Sequence, residues 1–419
     1  MKDPADSTSL VYPTMRTLFA IPFMLLAASL VAQNLTVSGK VIDHETKNAM
    51  PYASVYIKGK AIGTITNSNG EFDFHIPNEY RNEILVISML GYSNFESPVW
   101  SMISSPTTIT IELNASPIVL QEVLIEDSLS GGDILRLALK HIPNNYPSKP
   151  FVMDGFYRDV KKVGGTYFSL LEAAVQIYDD GYDDPRNKFK LREGVRLLEV
   201  RRSIGYENKF TSYFDQDNLL EDLLLHNSIR YRQIEDGEEL YASMRREKNS
   251  FYNGHEIYVV IHDQGNFLKF FIDKDNYAIV HMEWIATTSN EILERKKNLI
   301  SRFAGLRKTI DFKLVDNKMY LNFITITSNV NWYDIQTNEL KFETELFQQL
   351  LINKVTPNTK ERIGSVERMR NYGLQYQDLP YNKEFWDHYN VIKETPLDKK
   401  IVDDLEKAGP LDKQFEGKY

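Results

Sequence analysis

The sequence contains no cysteine among its 419 residues. This absence excludes disulfide bonds, thiolate catalysis, zinc bound by cysteine, and the lipid-modified N-terminal cysteine that anchors many bacterial lipoproteins. Concentrated basic tracts are also lacking, and the chain is acidic overall. Its 49 Lys and Arg and 58 Asp and Glu give a formal net charge of −9. Since nucleic-acid affinity depends on neutralising phosphates, we expect no nucleic-acid partner.

Long apolar runs are confined to the start of the chain. Met15 and Arg16 precede an apolar stretch from Leu18 to Ala32, which is typical of a secretory signal peptide and short for a membrane span. We therefore expect residues 1–32 to be a signal peptide with an over-called start before Met15, and cleavage after Ala32; a membrane anchor is the alternative. No later run reaches the ~18 apolar residues of a transmembrane helix, so none is expected in the mature chain.

Linear catalytic motifs are missing as well. His255-Glu256 lacks the second histidine of a zinc-peptidase helix, and Ile363-Gly-Ser365 lacks the second glycine of a hydrolase nucleophile turn. There is no glycine-rich phosphate loop. The sequence thus predicts no catalytic residue, no cofactor-binding residue, no cofactor and no metal ligand, and it favours a protein that is not an enzyme.

Turn residues and short β-branched or aromatic segments alternate through residues 35–113. Asn69-Gly70, between the strand-like runs 62–66 and 72–76, predicts a β-hairpin because both residues accept positive φ. The other markers, in chain order, are Gly39, Val41, Asp43, Thr46, Pro51, Val55, Ile57, Gly63, Thr64, Thr66, Leu85, Ser88, Gly91 and Tyr92. Alternating apolar positions predict strands that each cover a core with one face.

This order of motifs resembles the carboxypeptidase-regulatory-like domain, a transthyretin-like β-sandwich attached to many exported and outer-membrane proteins of Gram-negative bacteria. The resemblance implies such a sandwich at residues 33–114 and an accessory module without chemistry of its own. The segment Leu120-Gln-Glu122-Val123 is similar to an element that follows this domain in TonB-dependent transporters. The remaining chain cannot supply the plug and barrel of a transporter.

Residues 115–150 are predicted to form a linker followed by a helix capped by Asp133. Eight strand-like runs then predict an antiparallel β domain at residues 151–356, either a curved sheet or a half-barrel; they cover residues 151–160, 166–178, 251–262, 267–272, 278–285, 302–315, 319–330 and 340–355. One helix near 218–227 interrupts them, and its leucines predict that it lies across an apolar groove of the sheet.

Residues 357–419 are predicted to form a helical C-terminal region, with helices at 361–369, 382–391 and 396–408. The strand pair at 269–280 resembles the half-barrel repeats of periplasmic lipoprotein carriers. The whole C-terminal part, ending in a helix with Phe385-Trp386, resembles uncharacterised β-rich envelope proteins. The predicted fold class is thus mainly β, with an N-terminal transthyretin-like sandwich, a curved antiparallel sheet or half-barrel, and C-terminal helices.

Three groups of polar or aromatic residues are candidate sites. The four aspartates at 179–184 are more typical of a solvated turn than of a calcium loop. His281 and Glu283 share one strand face as a surface pair. The aromatic residues Trp284, Trp332, Tyr333, Phe342 and Phe347 are more typical of a core than of a ligand platform.

The sequence therefore predicts a non-enzymatic exported protein of the cell envelope, in the periplasm or associated with the outer membrane. Its expected partner is an envelope protein, a glycan or an apolar, lipid-like ligand. The alternative is an envelope hydrolase whose site leaves no linear motif.

Overall fold

The computed structural model describes residues 34–103, 108–116, 128–207, 209–214, 218–370, 373–377, 379–393 and 396–417. The predicted signal peptide and residues 117–127 of the predicted linker, including the transporter-like segment 120–123, lie outside the described residues. The predictions made for them stay predictions.

Two small sheets face each other in the N-terminal unit. Its elements are β1 (Leu35–Asp43), β2 (Ser54–Ile57), β3 (Gly63–Ile65), β4 (Glu71–Ile76), a 3₁₀ turn (Asn78–Tyr80), β5 (Ile84–Ser88), β6 (Phe95–Pro98), α1 (Val99–Ile103) and β7 (Ile109–Leu113). One sheet has the order β4-β1-β7 and the other β3-β2-β5-β6. Alternate residues of both sheets, among them Phe72, Phe74, Val55 and Ile87, form one buried cluster between them, so the predicted sandwich is confirmed.

The predicted hairpin at Asn69-Gly70 is wrong, because the two flanking strands belong to different sheets. β3 pairs with β2, whereas β4 pairs with β1. The side-chain Oδ1 of Asn67 accepts hydrogen bonds from the backbone N–H groups of Asn69 and Glu71, and Gly70 has φ of +74°. The turn residues therefore make a corner that carries the chain from one sheet to the other.

The rest of the chain forms one large antiparallel sheet of twelve strands within the described residues. They are β8 (Phe151–Val163), β9 (Thr166–Asp179), β10 (Gly194–Arg202), β11 (Arg245–Arg246), β12 (Ser250–Tyr252), β13 (His255–His262), β14 (Phe267–Asp273), β15 (Ile279–Ala286), β16 (Ile292–Lys296), β17 (Leu299–Val315), β18 (Lys318–Asp334) and β19 (Leu340–Thr356). The order is β10-β9-β8-β19-β18-β17-β15-β14-β13-β11, with β12 beside β13 and β16 beside β17. This sheet is curved and does not close into a barrel.

The eight predicted runs all correspond to strands, but one of them is divided. The run at 251–262 separates into β12 and β13 at Asn253-Gly254, where both residues have positive φ, +51° and +90°. Strands β10, β11 and β16 were not predicted, because each is short or rich in charged residues and shows no apolar alternation.

The helices of the large domain are α2 (Gly131–Lys140), α3 (Ile142–Asn145), α4 (Leu219–Leu225), α5 (Glu238–Ser243), α6 (Lys383–His388), α7 (Pro396–Leu405) and α8 (Leu411–Phe415), with 3₁₀ turns at Ile204–Glu207, Lys209–Tyr213, Leu374–Tyr376 and Glu406–Ala408. The cap of α2 is Ser130, and Asp133 is its capping-box partner three residues later. The helix predicted at 361–369 is wrong, since those residues form turns.

The two faces of the large sheet are covered by different parts of the chain. The face that we call the helix face carries a continuous apolar row that runs across seven strands: Tyr157, Leu350, Ile324, Ile310, Met282, Phe270 and Val260. Helices α2 to α5 pack there, in the same buried cluster. The neighbouring row faces the sandwich and α6, and we call this side the sandwich face: Phe156, Leu351, Phe323, Asp311, His281, Phe271 and Val259.

Candidate functional site

The sandwich is joined to the large sheet by backbone hydrogen bonds. Ile62 forms an antiparallel β-bridge with Lys354, and the N–H of Val355 donates to the carbonyl of Ala61 at 2.9 Å. A second contact lies at the other end of the interface, where the N–H of Gly91 donates to the carbonyl of Phe251 at 2.7 Å. These contacts hold the β2-β3 side of the sandwich against strands β12, β18 and β19.

A buried polar group lies within this interface. Asn322 is the extra residue of a β-bulge opposite Asp311 and Phe312, and a bulge re-aims the side chain it carries. Its Nδ2 donates to Ser54 Oγ of the sandwich at 3.0 Å and to Asp311 Oδ1 at 2.9 Å. The other oxygen of Asp311 lies 2.9 Å from His281 Nδ1, so a chain of polar contacts connects the two domains.

Between the domains lies a cavity of about 570 Å³, which is within the ~300–1,000 Å³ of small-molecule sites. It is lined by strands β2 and β3 of the sandwich and by turns of the large sheet. The lining residues with polar side chains are Ser54, Tyr56, Lys58, Lys60, Thr64, Asn94, Glu96, Tyr252, Asn253, His255, Asp273, Asn276, Lys313, Asp316, Asn317 and Asn322. We call this space the interdomain cavity.

Three of the lining residues present buried polar atoms that lack a hydrogen-bond partner in the described part of the chain. These atoms are Thr64 Oγ1, Asn94 Oδ1 and His255 Nδ1. Thr64 itself is only 2% exposed. Buried polar groups in folded proteins nearly always have a partner, and one without costs about 1–3 kcal/mol. All three residues line the same cavity, so a molecule or water held there would be placed to supply the missing partners.

The neighbouring polar groups are held in place by hydrogen bonds across the interface. Asn253 Oδ1 accepts from Tyr56 Oη at 3.3 Å and from Asn94 Nδ2 at 3.2 Å. Burial raises the pKa of Tyr56 to about 12, so its hydroxyl is a neutral donor at physiological pH. Burial likewise raises the pKa of Tyr252. The cavity wall thus presents neutral hydroxyl and amide groups next to two tyrosine rings.

Two ionisable groups lie in or near the cavity: Lys313 lines it, and His281 is linked through Asp311 to the lining residue Asn322. Burial lowers the pKa of Lys313 to about 7 although Asp311 raises it, and its Nζ donates to the carbonyl of Ile352 at 2.7 Å. Burial lowers the pKa of His281, but hydrogen bonds to Asp311 and Glu283 outweigh burial and raise it to about 9. His281 is therefore a cation at neutral pH. It pairs with Glu283 as the sequence predicted, with Nε2 3.6 Å from Oε1, but its side chain is only 15% exposed and Asp311 is the nearer partner.

His255 lies at the rim of the cavity between two carboxylates. Its Nδ1 is 3.0 Å from Asp273 Oδ2 and 3.1 Å from Asp275 Oδ2. The sequence places His255 on strand β13 and the aspartates in the β14-β15 turn, and antiparallel pairing brings that turn beside the start of β13. Glu256 points elsewhere and pairs with Lys274 at 3.0 Å. The sequence analysis missed this group, because it considered His255 only with its neighbour in the chain.

The acidic turn at 179–184 differs from its prediction at one residue. Asp179 is 1% exposed and makes two hydrogen bonds of 2.7 Å with the buried guanidinium of Arg230, so it belongs to the core and not to a solvated turn. Asp180, Asp183 and Asp184 follow it in the same turn, and all three are exposed. The prediction holds for those three.

The aromatic residues, which the sequence predicted to be core and not a ligand platform, contribute to packing. Trp332 is 1% exposed and stacks on Phe342 with ring centroids 6.0 Å apart. Trp284 lies beneath the ammonium group of Lys308, 4.2 Å from the ring centroid. Phe347 packs beside a small cluster with α7 and α8.

Helix α4 fills the helix face where the sequence predicted a groove. Its leucines Leu219, Leu220, Leu223 and Leu224 are 0–3% exposed, and the carbonyl of Leu219 accepts a hydrogen bond from Gln348 of β19. Leu220, Leu223 and Leu224 belong to the main buried cluster of the domain. They are therefore part of the hydrophobic core.

Comparison with known proteins identifies the N-terminal unit. A family model described as a CarboxypepD_reg-like domain matches residues 37–125. The TonB-dependent receptor P3 of Formosa agariphila is 28% identical over 102 residues, which are 24% of this chain and 10% of that receptor. The chain thus spans about a tenth of the length of this curated relative.

Two solved structures each match about half of the chain, with low TM-scores. A domain of Vibrio parahaemolyticus described as an outer membrane lipoprotein-sorting protein domain is 14% identical; the match covers 54% of this chain and 93% of that chain, with a TM-score of 0.22. The complex of MucA and MucB of Pseudomonas aeruginosa gives 8% identity, 55% and 99% coverage and a TM-score of 0.19.

None of the helices among the described residues has the length and apolar character needed to cross a membrane. The family model agrees with the motif order of the sequence and with the two facing sheets. Residues 37–125 of this chain therefore carry a carboxypeptidase-regulatory-like domain.

Proposed function

We propose that this chain is an exported, non-enzymatic protein of the cell envelope that binds a glycan in the interdomain cavity. The proposal rests on one observation above all: two buried atoms without a hydrogen-bond partner, Thr64 Oγ1 and Asn94 Oδ1, both belong to residues that line that cavity. A ligand that satisfies them must supply several hydrogen bonds over a small volume. Sugar hydroxyls do so, because each one donates and accepts.

The chemistry of the cavity favours a glycan over the apolar ligand that the sequence left open. A fatty-acid chain would leave Thr64 and Asn94 unsatisfied, at about 1–3 kcal/mol for each group. Tyr56 and Tyr252 line the same cavity, and an aromatic ring covers the C–H face of a sugar while its hydroxyl group bonds a neighbour. The helix face, where an apolar carrier would hold its ligand, is filled by the leucines of α4.

The envelope location is supported by the signal-like segment before Gln33 and by the carboxypeptidase-regulatory-like domain. That domain also carries the similarity to the TonB-dependent receptor. We place the protein in the periplasm or at the outer membrane, with an envelope glycan as its ligand. N-terminal sequencing of the native protein should find a start at or near Gln33; an intact Met1 or Met15 contradicts this.

Binding is tested by isothermal titration with oligosaccharides released from the cell envelope, followed by the variant Thr64→Val. This change keeps the side-chain shape and removes the unpartnered hydroxyl, so the unfolding free energy stays equal or rises while glycan affinity falls at least fivefold. Asn94→Ala should weaken binding further, because it also removes the bond to Asn253. Asn144→Ala, at an exposed position outside the cavity, is the matched control.

Affinity that is unchanged in Thr64→Val and Asn94→Ala would overturn the cavity as the binding site. The same titrations, analysed by mass spectrometry after a day, separate binding from hydrolysis. We expect the oligosaccharides to be recovered intact, and shortened products that disappear in a cavity variant would establish the alternative, an envelope hydrolase.

A further inference from the structure

His255, Asp273 and Asp275 bring three potential ligand atoms to one point on the rim of the interdomain cavity. These atoms all lie within 4.8 Å of one another. We infer that they form a binding site for a first-row divalent cation such as Zn²⁺. The inference goes beyond the proposed glycan binding and does not depend on it, because it concerns a different ligand and is measured by itself.

The distances fit a shared ion. Nδ1 of His255 lies 3.0 Å from Asp273 Oδ2 and 3.1 Å from Asp275 Oδ2. Two ligand atoms about 2.1 Å from one ion are separated by about 3.0 Å at octahedral angles and by about 3.4 Å at the tetrahedral angles typical of zinc. The histidine nitrogen therefore already stands at the spacing of an adjacent ligand from each carboxylate oxygen, and all three atoms lie within 4.8 Å of one another.

The direction of the histidine nitrogen supports the same conclusion. Although two carboxylate oxygens lie near it, Nδ1 makes no hydrogen bond with either of them or with any other described residue, and the atom is buried. A protonated histidine held only by ion pairs would be expected to direct its N–H at one oxygen. A nitrogen that is buried, close to two carboxylates and aligned with neither has the arrangement of a metal ligand whose neighbours coordinate the same ion.

The turn that carries the aspartates is preorganised. Asp273 Oδ1 accepts hydrogen bonds from the backbone N–H groups of Asp275 and Asn276, at 2.8 and 3.3 Å, which fixes the carboxylate and leaves Oδ2 facing His255. The side chain of Asp273 is 9% exposed, whereas those of His255 and Asp275 are 42% and 73% exposed. The site is thus anchored on the buried side and open to an entering ion on the other.

The donor set selects the class of ion. One imidazole nitrogen with two carboxylate oxygens suits Zn²⁺, Mn²⁺ or Fe²⁺, whereas Ca²⁺ and Mg²⁺ prefer oxygen ligands alone. Three protein ligands leave at least one coordination position open. Because His255 and Asp273 also line the interdomain cavity, that position is available to a hydroxyl or carboxylate of a molecule bound there.

The test is titration of the metal-free chain with ZnCl₂, MnCl₂, CaCl₂ and MgCl₂ by calorimetry, with native mass spectrometry for stoichiometry. We expect one Zn²⁺ per chain, weaker Mn²⁺, and no saturable binding of Ca²⁺ or Mg²⁺. His255→Gln and Asp275→Asn should each lower Zn²⁺ affinity at least tenfold. Asp275 is exposed, so its variant keeps the fold and remains interpretable if His255→Gln proves unstable.

Two control variants make the result specific. Asp316→Asn removes another exposed carboxylate that lines the same cavity and should leave Zn²⁺ affinity unchanged. His44→Gln removes a different histidine with a carboxylate neighbour, Glu112 at 2.7 Å, and should also have no effect. Absence of stoichiometric Zn²⁺ binding, or loss of it in His44→Gln but not in Asp275→Asn, overturns the inference.

Failure of this inference can be told apart from failure of the proposed function. Thr64→Val should leave Zn²⁺ binding unchanged, since the threonine is not a ligand. Glycan titrations are run with and without Zn²⁺, so each ligand has its own binding curve. A cobalt-substituted sample adds a spectroscopic measurement: visible d–d bands should appear in the wild-type chain and be lost in Asp275→Asn.

Discussion

Substitution of Leu223 tests whether α4 is part of the core or a movable cover over an apolar site. Leu223 is 0% exposed and lies in the main buried cluster, so Leu223→Ala removes buried methyl groups and leaves a cavity. Such changes cost about 2–5 kcal/mol. Leu223→Asp adds an unpaired buried carboxylate, and the loss should exceed about 4 kcal/mol. Leu225→Ala, two residues along the same helix and only half-buried, is the matched control and should cost less than half as much as Leu223→Ala.

The measurement is urea unfolding followed by circular dichroism and tryptophan fluorescence, with binding of a fluorescent fatty acid recorded in parallel. If the leucines form the core, Leu223→Ala lowers the unfolding midpoint and the wild-type chain binds no fatty acid saturably. A free-energy change below about 1 kcal/mol for Leu223→Ala, together with saturable fatty-acid binding that Leu223→Asp abolishes, would refute the reasoning. It would instead make α4 the cover of a lipid site.

Three further predictions follow from buried charges. Arg230→Met leaves the carboxylate of Asp179 buried without its partner and should lower the unfolding free energy by about 3–5 kcal/mol. Adding Asp179→Asn should recover part of this loss. A double variant whose loss of unfolding free energy equals the sum of the losses of the two single variants contradicts the pairing. The pKa of His281 is raised to about 9 from an unfolded value of about 6.5. The stabilisation that protonated His281 contributes is therefore complete below pH 6.5 and is lost as the pH rises through 9. The urea midpoints of wild type and His281→Gln should differ most at pH 6 and least at pH 10. Burial lowers the pKa of Lys308 to about 7, so Lys308→Met should raise the unfolding free energy at pH 7 by about 1 kcal/mol or more. A lower unfolding free energy would show that the contacts of Lys308 with Ser228 and Trp284 outweigh the cost of desolvating its ammonium group.

The sequence predicted the strands well where local chemistry determines them. Alternating apolar residues separated by turn residues marked both ends of strands such as β8 and β9 within a few residues, and Asn218 marked the start of α4. It failed where pairing partners decide the outcome. Asn69-Gly70 has the composition of a hairpin turn, but the strands on either side pair with more distant segments, and no local signal distinguishes a hairpin from a corner between sheets.

The candidate site could not be predicted from linear motifs. The cavity wall combines Thr64 and Asn94 of the sandwich with His255 of the large sheet, about 160 residues further along the chain. Only the packing of one domain on the other brings them together. The turn at 273–276 lies between the predicted strands 267–272 and 278–285, but the contact of its aspartates with His255 depends on the register of β13 and β14. The sequence excluded familiar enzyme motifs, and it had no means to reveal a site built across an interface.

The order of strands in the large sheet has a consequence for how the chain folds. β8 pairs along most of its length with β19, so Val160 lies opposite Phe347. The first and last strands of the domain are thus neighbours inside the sheet, and the β-bridge from Ile62 also ends on β19. Contacts between residues so far apart in sequence slow folding, because a long loop must close before they form. As the chain is synthesised, one edge of β8 remains without its partner from the completion of β8 at Val163 until β19 (Leu340–Thr356) has emerged. An unpaired strand edge of this kind can pair with another chain, so this interval is when the nascent protein is most exposed to aggregation.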